Sequence, residues 1–158
     1  MRVLVPANYE SADVANTRYR VFVFTDGLTV FQAEKLPSVV SALEQARKIR
    51  PTIFVGVDNG VPAEAPDDDA RSNEYLPYPD LPDTTLTHPH GKLFPTFVFD
   101  DVMPLLRARY RVSDEPIGLG GFSYGALAAL WTAMSRPGEI SRLLLESGPF
   151  QISHARLI

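Results

Sequence analysis

The chain has 158 residues, of which 45% are hydrophobic and 22% are charged, and this composition is typical of a soluble globular domain with a real core. The formal net charge is −4 with scattered basic residues, which gives no support for a nucleic-acid partner. The absence of cysteine excludes disulfides and thiol nucleophiles, and no apolar run approaches the length of a membrane span. Residues 1–6 are typical of a strand and not of a signal peptide, so we expect a cytoplasmic protein without a membrane partner.

Strand and helix patterns alternate along the chain. Short apolar runs predict strands, and apolar residues at helical spacing predict helices. The predicted strands lie at 1–6, 19–25, 52–57, 117–121 and 140–146, and the predicted helices lie at 36–46, 94–106 and 125–135. Pro104 lies inside the second helical pattern, where it predicts a kink or a late start. Apolar strands separated by helices indicate an α/β fold, with a mainly parallel sheet and helices on both faces.

The segment 61–93 differs from the rest because it is rich in proline and has no pattern of strand or helix. We therefore expect an irregular loop at the carboxyl edge of the sheet, where open α/β folds bind ligands. We interpret His88 and His90 as loop histidines and the acidic run at 67–69 as solvated, because adjacent side chains diverge. The sequence thus predicts no metal site and no cofactor.

The most specific motif is G-x-S-x-G at 121–125. An apolar run precedes it and a strong helix-forming segment follows, which is the strand–turn–helix setting of a nucleophile elbow. The pattern predicts that Ser123 attacks an ester carbonyl and forms an acyl-enzyme, although a small residue in a tight turn would look the same. The backbone N–H after the serine, that of Tyr124, is then one donor of an oxyanion hole.

Five segments in matching order resemble the esterase D and enterochelin-esterase-like branch of the α/β-hydrolases. They lie at 24–27, 55–60, 71–77, 110–112 and 120–125. The resemblance implies an α/β-hydrolase core and a carboxylesterase that acts on a small-molecule ester, with hydrolysis and acyl transfer both open.

The resemblance also suggests further site residues. The Asp-Gly-Leu stretch of the related mycolyltransferases matches residues 26–28, which implies that Leu28 is the second oxyanion donor, although a plain turn is the alternative at Asp26. Arg71, Glu74 and Tyr75 match a family segment near the site, either as an Arg–Glu pair that anchors the loop or as a substrate contact. The substrate-binding residues themselves stay unknown.

A hydrolase of this type needs a carboxylate and a histidine after the serine. Glu146 and His154 have the right types in the right order, but the resemblance implies that the family takes both groups from later segments. We therefore expect residues 1–158 to form a single partial domain, truncated at its C-terminal side, whose activity is impaired. A non-catalytic binding or interaction module is the alternative. The strand at 140–146 should be an exposed edge through which the chain forms a homodimer.

Overall fold

Five strands form one mixed sheet in the computed structural model, which describes residues 1–60, 68–80, 83, 86 and 88–152. The strands lie in the order β1-β3-β2-β4-β5. Their bounds are β1 Arg2–Leu4, β2 Arg20–Phe24, β3 Thr52–Gly56, β4 Ile117–Phe122 and β5 Ile140–Glu146. Strand β1 is antiparallel to β3, and the other pairs are parallel. The predicted α/β class with a mainly parallel sheet is confirmed.

Six α-helices connect or flank the strands in the described part of the chain. They are α1 Gly27–Gln32, α2 Leu36–Gln45, α3 Asp68–Tyr75, α4 Phe94–Thr96, α5 Met103–Arg109 and α6 Tyr124–Ser135. A π-helical segment, Phe97–Val102, joins α4 to α5. Pro104 lies at the start of α5, because a proline has no N–H for the preceding turn and is tolerated only there. Helical turns already begin at Phe94 and continue into α5, so the late helix start that this proline predicted is wrong.

The expectation of an irregular loop over 61–93 is wrong for part of its length. Helix α3 occupies residues 68–75, and a 3₁₀ turn follows at Gly91–Leu93. Helix α3 is strongly polar and buries little besides Tyr75 and Ser72, so it has no apolar period to detect. Residues 68 and 69 begin this helix, so they are not part of a loop. Asp67 lies outside the described residues.

The main core lies on one face of the sheet. Alternate residues of β2, β3 and β4 point into it and are almost completely buried, namely Val21, Val23, Ile53, Val55, Ile117 and Leu119. The segment from α4 to α5 and helix α6 supply the other side of this core. The packing fixes the carboxyl ends of β2, β3 and β4 relative to one another, and the candidate site lies at those ends.

Strand β5 lies at one edge of the sheet, as the sequence predicts. Among the described residues it pairs only with β4. Leu143 and Leu144 are 40% and 49% exposed, so the edge carries apolar side chains that reach solvent.

Candidate active site

Ser123 lies between the end of β4 and the start of α6, as the elbow motif predicts. Its φ of 53° and ψ of −130° fall in a region that residues with a side chain rarely adopt. The backbone N–H of Ser123 donates to the carbonyl of Glu146 at 2.9 Å, which attaches the turn to β5. In the part of the chain that the structure describes, no capping hydrogen bond ties the half-buried Ser123 side chain to α6. Within these residues the hydroxyl therefore does not cap α6.

Two glycines allow the elbow to press against the end of β2. A Cβ placed on Gly121 would lie 2.5 Å from the backbone of Gly125 and from Thr25 Oγ1. A Cβ on Gly125 would lie 2.2 Å from the same Thr25 oxygen. Both distances are below any real Cβ contact, so the turn at 25–26 and the elbow can meet only because these positions are glycine.

The turn between β2 and α1 is equally tight. Asp26 has a left-handed conformation, with φ 51° and ψ 48°. The N–H of Gly27 donates to the carbonyl of Val57 at 2.8 Å, and a Cβ on Gly27 would lie 2.5 Å from the backbone of Gly56. Leu28 follows as the second residue of α1. The turn therefore fits closely against the end of β3.

The two predicted oxyanion donors both lie in the first turn of a helix. Tyr124 is the first residue of α6 and Leu28 the second of α1. N–H groups in a first helical turn have no partner within the helix and favour negative charge nearby. Both helices begin at the carboxyl ends of neighbouring parallel strands, β2 and β4. The arrangement is suited to binding an anionic oxygen at this edge of the sheet, and the roles themselves stay predictions.

A buried ion pair joins the turn at Asp26 to helix α3. Arg71 Nε donates to Asp26 Oδ1 and its terminal nitrogen to Oδ2, each at 2.7 Å. Asn59 also donates to Asp26 Oδ1, at 3.0 Å. The Asp26 side chain is 1% exposed and that of Arg71 17%. An Arg–Glu anchor was one expectation for this segment and it is wrong, because Arg71 pairs with Asp26.

Glu74, the other member of that expected pair, binds a different loop. One of its carboxylate oxygens accepts the N–H of Gly60 at 2.8 Å. Helix α3 is therefore attached both to the turn after β2 and to the loop after β3. The sequence held only a weak signal for Asp26 as a site residue, since Asp-Gly is a common turn dipeptide.

Two tyrosines near the site remain protonated at neutral pH. The hydroxyl of Tyr75 accepts the N–H of Asp26 at 3.1 Å, and burial followed by the negative charge of Asp26 raises the pKa of Tyr75. Burial and then the charges of Asp80 and Asp83 raise the pKa of Tyr124. Neither phenol is thus suited to act as a general base.

The family assignment follows from the sequence as a whole. Residues 1–156 match the family model that is described as "Putative esterase". The chain belongs to this esterase family. A search of curated proteins finds no match.

Several solved structures that are similar to this esterase-family chain are named as esterases or hydrolases. The enterochelin esterase of Shigella flexneri is 18% identical with a TM-score of 0.70, over 96% of this chain and 33% of that chain. The siderophore hydrolase EstA of Aspergillus nidulans is 21% identical with a TM-score of 0.78, over 98% of this chain and 54% of that chain. An IroE-like serine hydrolase of Shewanella oneidensis is 21% identical with a TM-score of 0.68, over 89% and 43%. These likenesses establish the α/β-hydrolase fold, and the chain spans about a third to a half of the length of these relatives.

Of the predicted acid and base, the structure describes only Glu146. Glu146 is the last residue of β5 and is exposed, and its carbonyl binds the elbow. His154 lies outside the described residues, so the triad of Ser123, Glu146 and His154 stays a prediction. The backbone N–H groups of His88 and His90 donate to Asn73 of α3, at 3.1 and 2.6 Å. This pairing agrees with the interpretation of both as loop histidines.

A cavity of about 250 Å³ lies beside the elbow, and the sequence did not predict it. Its walls are mostly apolar, and Glu34 and Glu146 add carboxylates; the other lining residues are Phe24, Val30, Leu36, Gly121, Phe122, Leu144 and Ser147.

Across the described ranges no group of three or more acidic residues or histidines could hold a metal ion. No helix in those ranges is long and apolar enough to cross a membrane.

Proposed function

We propose that this chain is the part of a serine carboxylesterase that carries the nucleophile. In this proposal the Ser123 oxygen attacks the carbonyl carbon of a small-molecule ester and gives up its proton to a base. The C–O bond to the alcohol then breaks, the alcohol leaves with a proton, and an acyl-enzyme remains at Ser123. Water, or another alcohol in the case of acyl transfer, releases the acyl group.

The main support for the proposal is the strained backbone conformation of Ser123. A serine with φ 53° and ψ −130° between a parallel strand and a helix is held at a cost of about 1–3 kcal/mol, and such strain clusters at functional sites. Glycine adopts these angles without strain, so a turn with no chemical role would be expected to have glycine at this position. The esterase family match and the similar serine hydrolase support the same reading.

The oxyanion hole of the proposal consists of the backbone N–H groups of Leu28 and Tyr124. Negative charge develops on the carbonyl oxygen in the transition state, and donors that are fixed in advance stabilise it without rearranging. Each donor of this kind contributes about 3 kcal/mol of transition-state stabilisation. The tight packing of the two turns around Thr25 supports this role, because it fixes both helix starts relative to each other.

We expect the 158-residue chain to hydrolyse activated short-chain esters slowly. A serine hydroxyl without a positioned base is a weak nucleophile at neutral pH. The oxyanion hole and substrate binding alone leave about 10³–10⁴-fold catalysis over water. Rapid turnover that His154→Ala abolishes would instead support the compact triad with Glu146.

A fluorophosphonate probe tests the nucleophile directly, because it labels an activated serine and ignores an inert one. We expect slow labelling of the wild-type chain, in line with its slow hydrolysis, and none of Ser123→Ala, whereas Ser135→Ala at the far end of α6 should label at the wild-type rate. An unlabelled wild-type chain, or equal labelling of Ser123→Ala, would favour the alternative of a non-catalytic interaction module.

Two further expectations from the sequence become proposals. Copies of the chain pair through β5, because an edge strand with exposed Leu143 and Leu144 offers unpaired backbone groups and apolar surface.

The second is that the chain works in the cytoplasm. Fractionation of cells that express the chain tests this location, and a signal confined to secreted material would contradict it.

A further inference from the structure

We propose that Arg71 and Asp26 are positioning residues for the oxyanion hole, acting together as a clamp on the turn that carries Leu28. The inference deepens the proposed function and rests on it for the role of Leu28. The clamp consists of the two side chains only. It acts through the backbone and does not touch the reacting atoms.

The position of Asp26 in the chain gives the clamp its effect. Asp26 is two residues before Leu28, and its carbonyl accepts the N–H of Val30 in the first turn of α1. Its left-handed φ of 51° is unfavourable for a residue with a Cβ, so the turn needs outside contacts to keep this shape. The direction of the Leu28 N–H depends on the φ and ψ angles of this turn.

The contacts that hold Asp26 come from two other segments, helix α3 and the loop after β3. Arg71 of α3 binds both carboxylate oxygens, Asn59 of the loop after β3 binds one of them, and the Tyr75 hydroxyl accepts the backbone N–H. The carboxylate also lies against the elbow, since a Cβ on Gly125 would be 3.1 Å from Asp26 Oδ2. The turn with one oxyanion donor is thus linked to the elbow with the other.

The guanidinium group of Arg71 is suited to this task in a way that a lysine is not. It forms two parallel hydrogen bonds with one carboxylate, which fixes orientation as well as distance. Its central carbon lies 5.2 Å from the ring centre of Phe122, the residue before Ser123, and 5.4 Å from that of Tyr75. Arg71 therefore contacts the end of the elbow strand and the Asp26 turn at once.

The burial of the pair argues that its role is orientation. Buried ion pairs often give no more stability than apolar side chains of the same volume, because both charges lose their water. The ion pair, unlike an apolar pair, fixes the direction of the Asp26 carboxylate and of the backbone next to it.

The experiment compares Arg71→Met and Arg71→Lys with Arg136→Met. Arg136 is a matched control, since it also pairs with two carboxylates, Asp100 and Glu139, and lies 5.5 Å from the ring of Phe99. It differs from Arg71 because it follows the C-terminal end of α6, opposite the elbow, and is more exposed. Circular dichroism melts check that each variant folds. Two readouts follow, amide hydrogen exchange and inactivation by a fluorophosphonate. If Arg71→Met does not fold, the same two measurements on Arg71→Lys test the clamp.

The first readout is amide hydrogen exchange at two N–H groups of the turn, measured relative to Tyr19, which directly precedes β2. The N–H of Gly27 donates to the carbonyl of Val57, and that of Val30 donates to the carbonyl of Asp26. We expect exchange at both sites to rise by about tenfold or more in Arg71→Met, less in Arg71→Lys, and not in Arg136→Met. Unchanged exchange at Gly27 and Val30 in a folded Arg71→Met chain would overturn the clamp.

The second readout is inactivation by a fluorophosphonate, separated into kinact and the half-saturating probe concentration. We expect kinact to fall by about 100-fold in Arg71→Met, because small misplacements cost rates of that order, with little change in half-saturation. A fall in probe affinity alone would contradict a positioning role. If the wild-type chain is not labelled but exchange rises in Arg71→Met, the esterase proposal fails and the clamp on the turn is supported.

Discussion

Ser123 holds a backbone conformation that costs free energy, and the surrounding packing maintains it. Glycine adopts this region of φ and ψ without strain. Ser123→Gly should therefore stabilise the folded chain by about 1 kcal/mol while it removes the hydroxyl. Ser123→Ala is the matched control, because it also removes the hydroxyl but keeps the Cβ strain. Chemical denaturation that finds the two variants equally stable would contradict the strain.

Gly125 is predicted to tolerate no side chain. In Gly125→Ala the new Cβ would lie 2.2 Å from Thr25 Oγ1, so the elbow and the turn after β2 must separate. Overpacking of this kind costs about 1–3 kcal/mol. Gly60→Ala is the control, since its Cβ would meet only Glu74 Oε2, at 3.4 Å. We expect Gly125→Ala to lower both the melting temperature and the labelling rate; a melting temperature equal to that of Gly60→Ala would count against the close contact.

At the scale of elements, the sequence predicted the parts that have an apolar period. Strands β2 to β5 and helices α2 and α6 lie where the patterns predicted them, because each buries a continuous run or a helical face. Helix α3 was missed because it is polar, and α1 because six residues are too few to reveal a period. The ion pair between Asp26 and Arg71 was missed because its partners are far apart in sequence, and no pattern within one segment reports such a contact.

Helix α3 gives the fold a pH dependence through Tyr75. The unfolded tyrosine ionises near pH 10, whereas burial and the charge of Asp26 raise the pKa of Tyr75 in the folded chain. The contribution of Tyr75 to the free energy of unfolding is therefore fully present below about pH 10. Above that pH, and up to the pKa of the folded chain, the contribution falls by about 1.4 kcal/mol per pH unit. Tyr75→Phe should lack this contribution. Urea denaturation at pH 9, 10 and 11 checks the difference, and parallel stability curves for both chains would refute it.

For the whole molecule, the exposed edge at β5 is the surface through which we expect copies of the chain to pair. Leu144 is 49% exposed on this strand. We expect a dimer in sedimentation velocity for the wild-type chain and a monomer for Leu144→Lys, because a lysine on an edge strand opposes pairing with another strand. Leu105→Lys, on α5 and also exposed, should leave the dimer intact. A wild-type chain that stays monomeric at high concentration would contradict the dimer.

In the proposed site, one edge of the sheet brings together the nucleophile Ser123 and the two backbone donors. A crystal structure of the chain after reaction with a fluorophosphonate tests all three groups together. We predict a phosphorus–oxygen bond to Ser123 and a phosphonyl oxygen about 2.7–3.1 Å from the nitrogens of both Leu28 and Tyr124. An adduct on another residue, or a phosphonyl oxygen directed away from both nitrogens, would contradict the account.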